Sequence, residues 1–131
     1  MAGKRALNRS SIELSRIMNT YRRAWERREA TLVLRVFTQD ATYQENPFRA
    51  PFAGREAIGR YWKEATGRHR DVRFEWQAVC RSGVLHVVEW SVRFTRADSG
   101  KRRHLRGVMF LELRGKRVSR FREYWLSREN T

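Results

Sequence analysis

Two glutamates and two tyrosines carry most of the chemistry this chain could do. Glu45 follows Tyr43 at a spacing of two, so both side chains point the same way on an extended segment. Glu123 stands between Phe121 and Trp125 at the same spacing. A carboxylate among aromatic rings is disfavoured when charged, so burial moves its pKa toward neutrality and prepares it to give or take a proton. If both glutamates line one cavity, their repulsion helps to keep one protonated. The plainer alternative is that each accepts hydrogen bonds from an arginine. Arg122 is adjacent to Glu123 but points to the other face. Tyr21 and Tyr43 are candidate hydroxyl donors to a developing oxyanion, or core residues with satisfied hydroxyls. His86 lies in the row Val88, Trp90, Val92 and Phe94, as a general base, a ligand contact or a structural histidine. Trp62, Trp76, Trp90 and Trp125 read as core or as walls of an apolar pocket.

Other site chemistries are missing from the sequence. There is no Gly-rich phosphate loop, no Ser-His-Asp signature and no metal motif. His69, His86 and His104 lack metal-ligand spacing, and the lone Cys80 excludes an intrachain disulfide. No cofactor and no metal are expected. The start of the chain has no apolar segment of secretory type, and no apolar run is long enough to span a membrane. The expected location is therefore the cytoplasm, with no membrane partner.

The 131 residues make one domain, expected over 10–131 behind a basic, mobile leader at 1–9. The net charge is +15, carried by 25 arginines and only 4 lysines. Such a balance suggests nucleic acid or another polyanion as a possible partner. The arginines are scattered along the chain, however, which favours a merely arginine-rich composition over such a partner.

Several elements must position these groups. Ser10 and Glu13 fit a capping box. Leu14, Ile17, Met18, Tyr21 and Trp25 recur at helical spacing, which predicts a helix over about 11–28. Residues 31–37 are ambiguous, with a propensity that leans to strand. A short strand is predicted over 40–47 and a loop over 48–54. Ile58, Tyr61, Trp62 and Ala65 mark a second helix over 54–66. Four strands then follow, over 71–80, 84–95, 104–113 and 118–126, joined by short glycine-containing turns in an antiparallel meander. In the last strand Ser119, Phe121, Glu123 and Trp125 should share a face, with Val118 and Arg120 opposite. Helices first and strands later predict an α+β fold, with helices on one face of a curved sheet.

This order resembles the nuclear transport factor 2-like superfamily, and within it the SnoaL-like and ketosteroid-isomerase-like proteins. The matching stretches are AW at 24–25, FTQDATYQENPF at 37–48, GREAIGRYW at 54–62, VVEW at 87–90, RGVMFLEL at 106–113 and RVSRFREYW at 117–125. The resemblance covers roughly 12–126 and makes 31–37 helical. It implies a cone-shaped, strongly curved antiparallel sheet wrapped around N-terminal helices, and a homodimer packed through the sheet. It places the isomerases' tyrosine on Tyr21 and their aspartate base on Glu45. Their protonated aspartate falls near Gly107 or Met109, where this chain has no acid. The limonene-epoxide-hydrolase branch is also similar: its tyrosine matches Tyr43 and one aspartate matches Glu123. Its asparagine falls on Glu45, and its arginine and second aspartate fall on Trp90 and Val92, so its charged triad is absent.

The resemblance implies a protein that binds an apolar, polyketide- or steroid-like small molecule in an internal cavity. Any catalysis should be cofactor-free isomerisation, cyclisation or a related proton-transfer elimination. Glu45 would be the base, Tyr21 the oxyanion donor and Glu123 a second acid or orienting group. Tyr43, Trp62, His86, Trp90, Met109, Phe121 and Trp125 would shape the pocket. The alternatives are a non-catalytic basic module for an anionic partner, and a dimeric protein with a vestigial pocket.

Overall fold

The computed structural model describes the backbone of residues 2–130 and the side chains of residues 12–129. The basic leader expected over 1–9, and Ser10 of the capping box, lie outside the described side chains. Helix α1 (Ala2–Glu26) is followed by a short 3-10 helix (Ala30–Arg35), strands β1 (Phe37–Gln44) and β2 (Phe52–Ala53), and helix α2 (Arg55–Thr66). Four long strands complete the chain: β3 (His69–Ser82), β4 (Leu85–Arg96), β5 (Arg102–Arg114) and β6 (Arg117–Asn130). None of the described helices is long and apolar enough to cross a membrane.

Helix α1 buries Leu14, Ile17, Met18, Tyr21, Ala24 and Trp25, the stripe that a 3.6-residue period places on one side. The helix ends where Arg28 turns left-handed (φ 54). The Glu29 N–H then donates to the Ala24 carbonyl and the Arg28 N–H to the Trp25 carbonyl, which closes the last turn. The segment after it is helical although its residues favour a strand, because Val33 and Val36 are buried among the helices. Each such apolar side chain contributes about 1.5–3 kcal/mol on full burial.

The six strands form one curved, unclosed sheet in the order β2-β1-β6-β5-β4-β3. The meander β3 to β6 is antiparallel throughout. Strand β1, however, lies parallel to β6, so the sheet is antiparallel with one parallel seam. The predicted loop over 48–54 contains the two-residue β2, whose Phe52 and Ala53 pair with Tyr43 and Thr42. Pairing with β1 makes that strand, and no local propensity announces it.

Bulges bend the sheet. One lies between Glu112 and Leu113, opposite Val118 and Arg120 on β6. The extra residue is Ser119, whose hydroxyl donates to the Glu112 carbonyl. Val118 is therefore buried on the same side as Phe121, contrary to strict alternation. Beyond the bulge the period holds, and Phe121 and Glu123 face the helices. A glycine with positive φ opens each tight turn of the meander, Gly83 after β3 and Gly115 after β5.

Candidate functional site

The helices and the concave side of the sheet enclose a cavity of about 460 Å³. That volume falls within the range of small-molecule sites. Its walls are largely aromatic: Trp25 from α1, Tyr61 and Trp62 from α2, Trp90 and Phe94 from β4, and Trp125 from β6. Tyr43, Glu45 and Glu123 enter from β1, from the residue that follows it, and from β6.

Glu123 is 5% exposed, and the Tyr43 hydroxyl donates to its Oε1 at 3.3 Å. Its Oε2 has no partner among the described residues. Burial, reinforced by the charge of Glu45, pushes the Glu123 carboxyl up to about 8, against the opposing pull of the Tyr43 hydrogen bond. At neutral pH this carboxyl mostly holds its proton, as a general acid requires. Glu45 is only half-buried, and the Tyr61 hydroxyl donates to its Oε2. Burial first, then this bond to Glu45, raises the Tyr61 hydroxyl far above its ordinary range. The cavity thus holds two carboxyls in unlike surroundings, one enclosed and one open to the mouth, the kind of difference that separates acid from base.

His69 closes another part of the wall. It accepts from Trp25 Nε1 at Nδ1 (3.3 Å) and packs 3.9 Å from the Phe94 ring. Burial, then Arg68 and Arg96, hold it down to about 4, so the ring is neutral with its proton on Nε2. At the mouth Arg68 and Arg96 pair with Glu64 and Asp98 at 2.9 Å, and Arg103 with Glu129 at 3.6 Å. Among the described residues no group of three histidine, cysteine or acidic side chains could hold a metal ion.

The family model for the SnoaL-like domain matches residues 18–121. The chain belongs to the SnoaL-like family. No curated protein sequence matches it. Three solved structures show what this SnoaL-like domain is similar to in fold. One is a protein with a ketosteroid isomerase-like fold from Catenulispora acidiphila, in complex with trimethylamine. It is 19% identical with a TM-score of 0.73, over 82% of this chain and 83% of that one. Another is an LEH-like epoxide hydrolase of M. tuberculosis, 17% identical with a TM-score of 0.68, over 88% and 84% of the two chains. The third is a type 2 hexachlorocyclohexane dehydrochlorinase, 9% identical with a TM-score of 0.77, over 100% and 94%.

The SnoaL-like cavity gathers some of the residues singled out from sequence and leaves others behind. Tyr43, Glu45, Trp62, Trp90, Glu123 and Trp125 line it. Tyr21 does not: it is buried behind the wall, its ring 4.7 Å from Trp62 and stacked on Phe121. Its hydroxyl is hydrogen-bonded to that of Tyr43, and burial raises both far above the ordinary tyrosine range. Phe121 supports Tyr43 from behind, the rings stacked at 4.4 Å. Met109, fully buried between Val88 and Glu123 in the sheet, also lies off the wall.

His86 is the largest departure. It faces inward, as its row requires, but at the other end of β4, beside Arg81 of β3 and Leu111 of β5. Trp90 lies four positions further along, roughly 13 Å away on a strand. Burial and then Arg81 lower its pKa, and it takes no part in the cavity. Alternation fixes the face of a side chain, whereas only the packing of α1 and α2 fixes where along the strand the cavity opens.

Tyr61 and His69 are among the site residues that sequence reasoning passed over. Tyr61 lies on the apolar face of α2, three residues before Glu64 and beside Trp62, and carried no separate signal. His69 begins β3 directly after α2, so its place at the wall depends on the chain reversing there. Gly107 acquires a role as well. A Cβ there would collide with the Tyr124 carbonyl oxygen and would lie 3.0 Å from Trp90 Cζ2. The missing side chain leaves that space to the Trp90 indole.

Proposed function

We propose that this SnoaL-like domain binds a flat, largely apolar small molecule in the cavity and moves a proton on it by cofactor-free acid–base chemistry. The supporting observation is Glu123: buried, with one oxygen held by Tyr43 and the other unpartnered, on the wall that Glu45 also lines. Glu45 is the base. It would take a proton from a carbon beside a carbonyl, the C–H electron pair moving onto the carbonyl oxygen to give an enolate. Glu123, protonated, would return a proton when the new C–H bond forms. Tyr21 does not touch the substrate in this reading. It positions Tyr43, which in turn orients Glu123.

The experiment uses 2-tetralone in D2O. Deuterium uptake at its α-carbons above the buffer rate, lost in Glu45→Gln, is the expected result. Binding without uptake would remove catalysis from the reading. A thermal-shift panel of flat apolar ligands covers the binding half, since a ligand that prefers the folded state raises the melting midpoint. A homodimer through the sheet is proposed beside this reading, because Tyr124 and Leu126 of β6 are exposed on the convex side. Sedimentation at about twice the 15.7 kDa of one chain is expected, and a mass of one chain at micromolar concentration would contradict it.

A further inference from the structure

The arginines scattered along the sequence do not stay scattered in the fold. On the outer face of the sheet, away from the helices, one end gathers six of them from four adjacent strands. Arg73 of β3 lies opposite Arg93 of β4, Arg93 opposite His104 of β5, and His104 opposite Arg128 of β6. Arg106 is the next outward residue along β5, and Arg70 and Arg102 flank Thr95 in the row beyond. Their chain neighbours Phe74, Val92, Phe94 and Leu105 are buried on the inner side, and Ser127 lines the cavity, which puts the six on the outer side. All six are exposed. Strands about 4.8 Å apart and alternate residues about 6.8 Å apart make the patch roughly 14 Å on a side.

Like charges set opposite each other destabilise a sheet, and here nothing in the fold offsets them. None of the six forms an ion pair among the described residues, whereas Arg68 pairs with Glu64, Arg96 with Asp98 and Arg120 with Glu112. Arg102 bonds only the Asp71 carbonyl and the Thr95 hydroxyl. The nearest acids along the strands are Glu75, in the Arg106 row, and Asp71, in the bulge of β3 between Arg70 and Arg73; neither pairs with an arginine. The His104 ring is 8% exposed, and burial, then Arg93, Arg128 and Arg106, lower its pKa, so it adds no charge at neutral pH. An arginine-rich composition alone does not produce this. At the other end of the same face Glu89 and Glu112 are interleaved, and Arg122 lies over the Phe110 ring at 4.4 Å.

A second copy centred on the patch would set arginine against arginine, so the occupant that charge favours carries repeated negative charge. All the cations are arginines, whose planar fork grips phosphate oxygens in pairs and stacks on flat rings. Tyr124, 46% exposed, stands on the same face of β6, two alternate positions from Arg128. An open sheet face with arginines and an exposed aromatic ring suits a single strand, whose bases are free to stack. We propose that this end of the outer face binds single-stranded nucleic acid, with the arginines on phosphates and Tyr124 against a base. The site is separate from the cavity, which lies on the inner side of the sheet, and does not depend on its chemistry. A dimer through Tyr124 would compete with the strand for this face.

Fluorescence anisotropy of a labelled twelve-nucleotide oligothymidylate with the full chain tests this. Four to six neutralised phosphates predict a log–log salt slope of about −3 to −4, so affinity should fall roughly a hundredfold between 50 and 200 mM salt. Arg93→Gln with Arg128→Gln should lessen the slope by about 1.4. Arg23→Gln with Arg60→Gln removes the same charge from the helix layer and should leave the slope unchanged. Tyr124→Ala should weaken binding about tenfold at an unchanged slope. A 15N NMR titration of the wild-type chain needs no variant to fold, and its amide shifts should concentrate at Arg73, Arg93, His104 and Arg128. Equal weakening by the two double variants, or shifts spread over the helices, would overturn the patch and assign binding to net charge. Unchanged affinity in Tyr124→Ala, or tighter binding to vesicles of phosphatidylserine and phosphatidylcholine, would overturn nucleic acid as the occupant. Absence of binding at 50 mM salt would overturn the proposal outright.

Discussion

The Tyr43 hydroxyl meets Glu123 Oε1 at 3.3 Å across the parallel seam between β1 and β6. The bond ties together two strands whose residues are 80 positions apart in the chain and leaves the second carboxyl oxygen buried without a partner among the described residues. Tyr43 is held from behind by the stacked ring of Phe121. The acid is thus positioned by aromatic packing at one oxygen and enclosed at the other.

Tyr43→Phe should move the Glu123 carboxyl further up. The lost hydrogen bond is the one influence that lowers it, against burial and the Glu45 charge. A 13C-detected titration of the glutamate carboxyls would show it. A Glu123 titration that stays in place or moves down would mean that Tyr43 does not stabilise the carboxylate.

Glu123→Gln should change how stability depends on pH. The folded protein binds the Glu123 proton up to about 8, whereas the unfolded chain releases it near 4.5. The folded state therefore holds more protons between these values, and stability falls as pH rises through them and then levels off. The change in this fully enclosed group is on the order of a few kcal/mol. His69 acts in the opposite sense: held down to about 4, it makes stability rise with pH until about 6.5, where the unfolded histidine loses its proton. His86 and His104, also lowered, act like His69. The two trends oppose each other below pH 6.5, so the Glu123 slope should emerge between 6.5 and 8. Melting curves across that window should fall for wild type and flatten for Glu123→Gln. Equal slopes in the two proteins would refute the assignment.

Gly107→Ala should destabilise the fold and disturb Trp90. The new Cβ would meet the Tyr124 carbonyl, lie 2.7 Å from Trp125 Cβ and come within 3.0 Å of the Trp90 ring. Two of these neighbours belong to the β6 backbone or its first side-chain atom and cannot swing away. Overpacking of this kind costs about 1–3 kcal/mol. Urea unfolding measures the loss, and tryptophan fluorescence reports Trp90. An alanine variant as stable as wild type would show that β5 and β6 can spread apart at this point.

Much of this architecture was legible because its signals are local and periodic. The stripe from Leu14 to Trp25 encodes α1, and alternation along β4 puts Trp90 on the inside. The resemblance supplied the helical reading of 31–37 against its own propensity. What stayed hidden depends on contacts distant in sequence. Strand β2 exists through pairing with β1, and Val118 turns inward because Ser119 is an extra residue opposite β5. His86 and Trp90 share one row, yet only Trp90 reaches the cavity, since the helices cover the sheet unevenly. The Tyr61–Glu45 bond joins α2 to the end of β1, a pairing that no spacing along the chain reveals.

That bond carries the last prediction. Glu45 is half-buried at the mouth, and a carboxylate so placed would rotate freely without a partner. The Tyr61 hydroxyl donates to its Oε2 and leaves Oε1 for the substrate. Burial keeps the Tyr61 proton in place, so Tyr61 orients the base without competing for the proton it removes. Tyr61→Phe should therefore slow deuterium uptake by 2-tetralone about tenfold, the cost of a mispositioned catalytic group, and change its Kd by less than about threefold. Glu45→Gln should abolish uptake with Kd similarly preserved. A Tyr61→Phe protein with normal uptake would show that Glu45 is positioned without Tyr61. Loss of affinity in proportion to the rate would make Tyr61 a ligand contact instead.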